Sequence, residues 1–273
     1  MRAVGRALAE TAGGGGALAA TASRGGALAC RAVTVSKSRR VRFAEPAGGA
    51  ADALALARDL RERGAARLAE QLAAAYALAA DDYALLQRLE PPEGGERFLL
   101  AVGGLVASGK STVAKLVTRR LGAPRVVADD VRAALLDGAE DAAHELAWAS
   151  DLADRVYAGL LARGGEVLAS GRSVVLDACF PTEARRRAAA ALAARHGVHF
   201  VFAVCDAPLE DMVARLRLRD RRDGGPPGGW DKIAREVART WEPPRRGAYV
   251  PLDTSFPRAA WLRALGLGKR DAP

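Results

Sequence analysis

The sequence lacks the features that mark secreted, membrane-spanning and zinc-binding proteins. Its three cysteines, Cys30, Cys179 and Cys205, form no C-x-x-C pair, which argues against a zinc ribbon and against a disulfide framework. No run of about 18 uncharged apolar residues occurs, so we expect no membrane-spanning helix and no membrane partner. Since structural disulfides mark oxidising compartments, their expected absence favours a cytoplasmic location.

Metal-ligand histidines and aromatic side chains are also scarce. The three histidines, His144, His196 and His199, do not have the spacing of metal ligands. Aromatic residues make up 5% of the chain, so few rings are available to stack on nucleobases. The net charge is +9, but residues 1–45 alone contribute +6. Because the rest of the chain carries only +3, a nucleic-acid partner is not favoured.

Residues 1–48 form a basic tail that is rich in Ala, Gly, Arg, Ser and Thr. This composition predicts disorder, because it offers few large apolar side chains from which to build a core. The tail is poor in acidic residues and contains arginine and hydroxyl residues, as organelle transit peptides do. Two interpretations stay open. One is a transit peptide for organelle import. The other is a weakly structured extension, or a stretch that results from a misassigned start codon.

Residues 50–95 are predicted to form a small helical segment. Leu68, Leu72 and Tyr76 follow one another at i+4, which places them on one helical face. A Pro-Pro pair and then Gly94-Gly95 end the segment, and they mark the clearest domain boundary in the chain.

Residues 97–266 alternate between short apolar runs and helical periodicity. Such alternation predicts an α/β fold, a mainly parallel five-stranded sheet with helices on both faces. Pro251 lies in the last run and indicates an edge strand. Ligands of such sheets bind at the carboxyl ends of the strands. The predicted strands lie at 98–102, 125–128, 173–176, 199–204 and 249–252.

Gly104 to Ser111 fits the phosphate-loop pattern G-x-x-x-x-G-K-[ST], between an apolar run and a helical pattern. The glycines allow the backbone to turn its N–H groups toward phosphate oxygens. Lys110 is expected to reach the β- and γ-phosphates, and the Ser111 hydroxyl to complete the coordination of Mg²⁺. The chain is therefore predicted to bind a nucleoside triphosphate. The other loop residues expected to contact it are Gly104, Ala107, Ser108 and Gly109.

Candidate acids fall at the ends of the predicted strands. Asp177 directly follows the apolar run 174–176, a placement that resembles the acid holding magnesium or its water shell. Asp129 follows the second strand, 19 positions beyond Lys110, and can accept a proton from an attacking hydroxyl. Asp129 and Asp177 can instead cap a strand or a helix. For Asp130, the residue after Asp129, we favour this capping interpretation.

Arginines cluster after the fourth predicted strand, before a Gly/Pro-rich break. Arg215 and Arg219 share one helical face and are candidate catalytic cations on a lid that closes over the triphosphate and excludes water. Arg186, in the helix after the third strand, is a candidate substrate contact. For each arginine the alternative is a solvated basic surface.

Several stretches between about Phe98 and Leu265 resemble one family, the P-loop small-molecule kinases often labelled AAA-family ATPases. Relatives in that group include zeta toxins, chloramphenicol phosphotransferase, gluconate kinase and the kinase domain of polynucleotide kinases. Asp253-Thr254-Ser255 also resembles a terminal element on the adenine side. The main matching stretches are Gly104 to Thr112, Asp129-Asp130-Val131-Arg132, Val174 to Phe180, and Cys205 to Glu210 with Arg215-Leu216 and Arg219.

The resemblance implies ATP as phosphate donor and Mg²⁺ as cofactor. It implies that Lys110, Ser111 and Thr112 hold phosphate and metal, that Asp129 is the base or a substrate contact, and that Arg132 binds substrate or phosphate. The predicted function is transfer of the ATP γ-phosphate to a hydroxyl of a small molecule, by a monomer or weak oligomer. Two alternatives stay open: a polynucleotide 5′-hydroxyl kinase, and a nucleotide-binding regulatory ATPase module with little transfer activity.

Overall fold

The computed structural model divides the chain into two compact units. The first comprises residues 1–94 with 169–172, and the second comprises 95–168 with 173–273. The residues that the structure describes are 17–18, 33–35, 41–43, 50–92, 94–136, 150–223, 229–245 and 247–266. Within these ranges no helix combines the length and the apolarity needed to cross a lipid bilayer.

The described part of the N-terminal tail consists of three short strands. They are β1 (Ala17–Leu18), β2 (Val33–Val35) and β3 (Val41–Phe43), paired antiparallel in the order β1-β2-β3. The predicted disorder otherwise falls on tail residues that lie outside the described ranges, and both interpretations of the tail stay predictions.

The helical segment predicted at 50–95 contains α1 (Ala50–Glu62), α2 (Ala66–Ala80) and a 3-10 helix (Ala84–Arg88). The i+4 pattern is matched by burial, because Leu72 and Tyr76 are both buried. Glu70 is buried on the same helix, which the apolar periodicity alone does not anticipate.

The first unit encloses a buried charge pair between Glu70 and Arg172. Arg172 is 1% exposed and donates from Nε and Nη2 to the two carboxylate oxygens of Glu70, at 2.7 and 3.1 Å. Arg61 also pairs with Glu70. The remaining Arg172 donors reach backbone carbonyls, so the guanidinium is extensively hydrogen-bonded, as a buried charge requires. The carbonyl acceptors belong to Leu86, Leu89, Glu90 and Ser170.

The second unit is built on a five-stranded sheet of β4 (Phe98–Gly103), β5 (Arg125–Val127), β6 (Val174–Asp177), β7 (His199–Asp206) and β8 (Val250–Asp253). The strand order is β5-β6-β4-β7-β8, and every pairing is parallel. This confirms the predicted α/β fold, and β8, which contains Pro251, lies at an edge as expected. All six residues of the central strand β4 are buried, as its continuous apolar run indicates.

Seven helices are described in this unit. The longest of them runs unbroken from Ser150 to Ala169, through the Gly164-Gly165 pair. A Cβ at Gly164 would lie 2.9 Å from Leu176, so this glycine allows close packing on β6. The helices are α3 (Lys110–Leu121), α4 (Ala128–Leu136), α5 (Ser150–Ala169), α6 (Glu183–Arg195), α7 (Leu209–Asp223), α8 (Gly229–Arg239) and α9 (Arg258–Leu265).

Helix α4 begins directly at the end of β5, without a separate capping residue after the strand. Asp129 and Asp130 both lie in its first turn. Asp130 is therefore the third residue of the helix and not its N-cap, the position that the sequence favoured for it. An acid in the first turn still interacts favourably with the positive end of the helix dipole.

Candidate active site

The loop between β4 and α3 has the backbone of a phosphate nest. Gly104, Ala107 and Gly109 adopt positive φ angles of 127°, 65° and 92°, so the chain alternates in handedness and turns successive N–H groups inward. The Gly104 N–H donates to the Cys179 carbonyl at 3.1 Å, which fixes the start of the loop. Helix α3 then begins at Lys110 and adds its positive end.

Gly104 is required by space as well as by conformation. A Cβ built on it would lie 2.2 Å from the backbone carbonyl oxygen of Cys205, which belongs to β7 and is not free to move aside. We expect Gly104→Ala to lower the free energy of unfolding by at least about 2 kcal/mol and to weaken nucleotide binding. Gly122→Ala is the matched control, because Gly122 also has positive φ but nothing lies within 4 Å of its Cβ position.

For Gly122→Ala we expect a loss of about 1 kcal/mol, from backbone strain alone. Urea denaturation and titration with ADP measure both variants. Equal losses for the two variants would contradict the idea that Gly104 is held by close approach to β7.

Two side chains of the loop add polar groups to this nest. Ser108 is fully buried, and its hydroxyl has no hydrogen-bond partner among the residues that the structure describes. Lys110 Nζ donates to the Leu105 carbonyl at 2.6 Å, so the cation folds back over the loop. A buried hydroxyl without a partner, a nest of N–H groups and a cation on one loop form a set of donors that fits a polyphosphate.

Ser111 and Asp177 meet beside this loop. The Ser111 hydroxyl lies 3.3 Å from Asp177 Oδ1, and Asp177 is 4% exposed. Two oxygens of this kind fit Mg²⁺, which is usually held by one or two protein oxygens together with substrate phosphates and water. Thr112, the next residue, is exposed in the first turn of α3.

Asp129 and Arg132 lie next to this pair at the carboxyl edge of the sheet. Val127, the last residue of β5, is in register with Asp177, and Asp129 follows two positions later. The Asp129 side chain is 74% exposed and accepts a hydrogen bond from Arg132 Nη1 at 2.8 Å. The carboxylate is therefore open to a molecule that approaches this edge.

The predicted lid arginines occupy different environments. Arg215 Nη1 donates to the Ala107 carbonyl at 3.0 Å and to Thr254 Oγ1 at 3.2 Å, so it contacts the phosphate loop directly. The Arg219 guanidinium lies over the Trp230 ring, 5.0 Å from its centroid. Helices α7 and α8 also pack apolar side chains against the loop, which include Leu216, Trp230, Ile233 and Val237 against Val106 and Ala107.

Arg186 is placed away from an accessible substrate position. It is 5% exposed, and its Nη1 donates to the carbonyls of Phe180 and Pro181 at 3.0 and 3.1 Å. Its guanidinium also faces the rings of Phe202 and Trp241. These contacts favour a structural role, which corrects the expected substrate contact, because exposure of one arginine among three cannot be read from the sequence.

Two residues make direct contacts with the phosphate loop or with Asp177 that the sequence does not predict. Arg125 Nη1 lies 2.9 Å from Asp177 Oδ2, and Thr254 Oγ1 donates to the Ser108 carbonyl at 2.8 Å. Thr254 carried a weak sequence signal, because it belongs to Asp253-Thr254-Ser255, which resembles the family's terminal element. Arg125 carried none, because its partner depends on the register of β5 against β6.

Burial removes two further side chains from consideration as bases or nucleophiles. Burial raises the pKa of the Cys205 thiol to about 12, although the charge of Lys110 acts in the opposite direction. Burial also raises the pKa of the Tyr157 phenol, whose oxygen accepts a hydrogen bond from the Phe180 N–H at 2.8 Å. Both groups are therefore neutral near pH 7.

Comparisons with known proteins agree with this geometry. The profile of the AAA domain family matches residues 99–239, just over half of the chain. No curated protein matches the sequence. Among solved structures, a protein of Chloroflexus aurantiacus proposed to be a kinase is 20% identical, with a TM-score of 0.50, over 63% of this chain and 99% of its own.

Two further solved structures match this chain, each with a TM-score below 0.5. An APS kinase of Mycobacterium tuberculosis, in complex with AMPPNP and APS, is 24% identical over 64% of this chain and 98% of its own, with a TM-score of 0.43. A gluconokinase of Sinorhizobium meliloti is 22% identical over 63% of this chain and 92% of its own, with a TM-score of 0.46.

Proposed function

Because the chain belongs to the AAA domain family and has a P-loop kinase-like fold, we propose that it transfers the γ-phosphate of ATP to a hydroxyl of a small molecule. The observation that carries the proposal is the set of residues that lie together at the carboxyl edge of the sheet. A phosphate nest with Lys110 lies there beside the buried Asp177 and the exposed Asp129. Phosphoryl transfer needs a held triphosphate, a charge-neutralising set of cations and a positioned acceptor.

The residues of the loop bind and orient the donor. The N–H groups between Gly104 and Ser111 and the Ser108 hydroxyl contact the phosphates, and Lys110 exchanges the Leu105 carbonyl for the β- and γ-phosphates. Ser111 and Asp177 would hold Mg²⁺, which would supply positive charge to neutralise the phosphates. Arg215, already at the loop, adds a second cation, and Arg219 stands one turn further along α7.

Asp129 acts on the acceptor. Its carboxylate accepts the proton of the attacking hydroxyl, and Arg132, 2.8 Å away, keeps the carboxylate oriented and contributes positive charge for substrate or phosphate. The open surroundings of Asp129 suit a small acceptor, and the scarcity of aromatic residues weighs against a single-stranded nucleic acid.

An ATP-consumption screen tests the proposal. Sugars, antibiotics, nucleotides and oligonucleotides with a 5′-hydroxyl are supplied as acceptors, with the Lys110→Ala variant as blank. Stimulation by one small molecule supports the proposal. Stimulation by the oligonucleotide would instead establish a polynucleotide kinase, and ATP binding without stimulation by any acceptor would establish a nucleotide-binding module.

Asp129→Asn separates chemistry from nucleotide binding. We expect kcat to fall by about a hundredfold, because the amide cannot accept the hydroxyl proton, while the Kd for ATP stays within about twofold. Asp130→Asn is the control, since Asp130 is an exposed acid in the same turn. Fixed-time assays of phosphoryl transfer measure kcat, and equilibrium titration measures the Kd for ATP. An equal loss of ATP affinity would place Asp129 with the nucleotide instead.

A further inference from the structure

The two carboxylate oxygens of Asp177 have separate partners. Oδ1 lies 3.3 Å from the Ser111 hydroxyl, on the side of the phosphate loop. Oδ2 lies 2.9 Å from Arg125 Nη1, and this arginine is largely buried as well. The buried carboxylate is thus divided between the loop and a cation that comes from the neighbouring strand.

The register of β5 against β6 makes this contact possible. Arg125 is paired with Val175 and Val127 with Asp177, so Arg125 and Asp177 lie two positions apart on one face of the sheet. Two residues of a parallel strand span about 6.6 Å, a distance that the arginine side chain bridges. A cation buried at the start of a strand is costly without a carboxylate partner, so the pair orders both side chains.

We propose that Arg125 is a positioning residue of the metal site, which holds Oδ2 of Asp177 so that one oxygen, Oδ1, faces Ser111 and the bound metal. The inference rests on the proposed function. A carboxylate that offers a single oxygen suits Mg²⁺, which demands a regular octahedron and few protein ligands. A carboxylate released from Arg125 can present both oxygens, an arrangement that suits the larger Ca²⁺.

The test measures ADP affinity by calorimetry in Mg²⁺, in Ca²⁺ and in EDTA. For Arg125→Met we expect the gain in ADP affinity from Mg²⁺ to fall at least about tenfold. The gain from Ca²⁺ should fall less, and affinity in EDTA should be unchanged. Arg125→Lys, which keeps the charge but loses the planar fork, should shift the Mg²⁺/Ca²⁺ preference in the same direction by about threefold. Arg239→Met, which removes an exposed helix pair with Glu236, is the control.

The double variant Asp177→Asn/Arg125→Met shows whether Arg125 acts through Asp177. Compared with Asp177→Asn alone, the added Arg125 change should alter the Mg²⁺ gain by less than about twofold, since neither protein has a carboxylate to position. If Arg125→Met does not fold, Arg125→Lys and this double variant, which leaves no unpaired buried charge, decide the question.

Three results would overturn the inference. They are an unchanged Mg²⁺ gain in the folded Arg125 variants, a loss of affinity in EDTA equal to the loss in Mg²⁺, and a full effect that persists without the Asp177 carboxylate. Failure of the proposed function gives different results. A protein without the nucleotide site would bind no ADP under any condition, whereas a protein that binds ADP but transfers no phosphate would fail only in the acceptor screen and would leave the Mg²⁺ gain measurable.

Discussion

Lys110→Ala is expected to lower ATP turnover by at least about a thousandfold while the protein stays folded. The side chain carries the one full positive charge on the phosphate loop, and charged donors aimed at a transferring phosphoryl group contribute more than neutral ones. Among the residues that the structure describes, the Lys110 ammonium donates a hydrogen bond to the Leu105 carbonyl and forms no ion pair, so its removal leaves no partner charge unpaired. The loss should therefore appear in turnover and not in stability.

The matched control is Lys115→Ala, an exposed lysine on the same helix. Turnover with the best acceptor from the screen, or basal hydrolysis where none is found, gives the rate, and thermal melting gives the fold. Lys115→Ala should retain turnover within about twofold. Undiminished turnover in Lys110→Ala would overturn the assignment of Gly104 to Ser111 as the phosphate site.

Arg172→Met is expected to lower the free energy of unfolding by about 3–5 kcal/mol. The substitution removes the two hydrogen bonds that Arg172 donates to the Glu70 carboxylate and the bonds that it donates to backbone carbonyls, those of Leu86 and Glu90 among them. Arg61 still pairs with Glu70, so part of the carboxylate charge remains compensated. Methionine keeps most of the volume, which confines the loss to the polar contacts.

Arg63→Met provides the comparison for this second effect. Arg63 forms an ion pair with Asp59. This pair lies at the surface and contributes no more than about 1 kcal/mol to stability. Urea denaturation followed by far-UV circular dichroism measures both variants. A difference of less than about 1 kcal/mol between them would contradict the stabilising role of the buried cluster.

The sequence predicts the parts of this protein that are local. The phosphate loop needs glycine at fixed offsets, and Gly104 and Gly109 have positive φ as the pattern requires. Continuous apolar runs identify the strands of the parallel sheet, and an acid at the end of one of them, Asp177, lies beside Ser111. Each of these features depends on residues that are close together in the chain or on one periodic pattern.

Contacts between distant segments were harder to predict. The Arg125–Asp177 pair joins residues that are 52 positions apart, and it depends on strand order and register, neither of which appears in the pattern of β5. The exposure of a single side chain is also hard to predict. Arg186 stands between Arg185 and Arg187 in the sequence, but it is buried in the protein, which contradicts the expected substrate contact. Glu70 is a similar case, an acid on an apolar helical face whose partner lies 102 positions away.

The hydrogen bond between Thr254 and the Ser108 carbonyl has a consequence for synthesis of the chain. It joins residues 146 positions apart, and Thr254 also fills the space beside Gly109. A nascent chain that has emerged only as far as β7 has the whole phosphate loop but not the residue that supports it. Productive nucleotide capture is therefore expected only after the C-terminal strand has left the ribosome, which separates translation of the loop from its use.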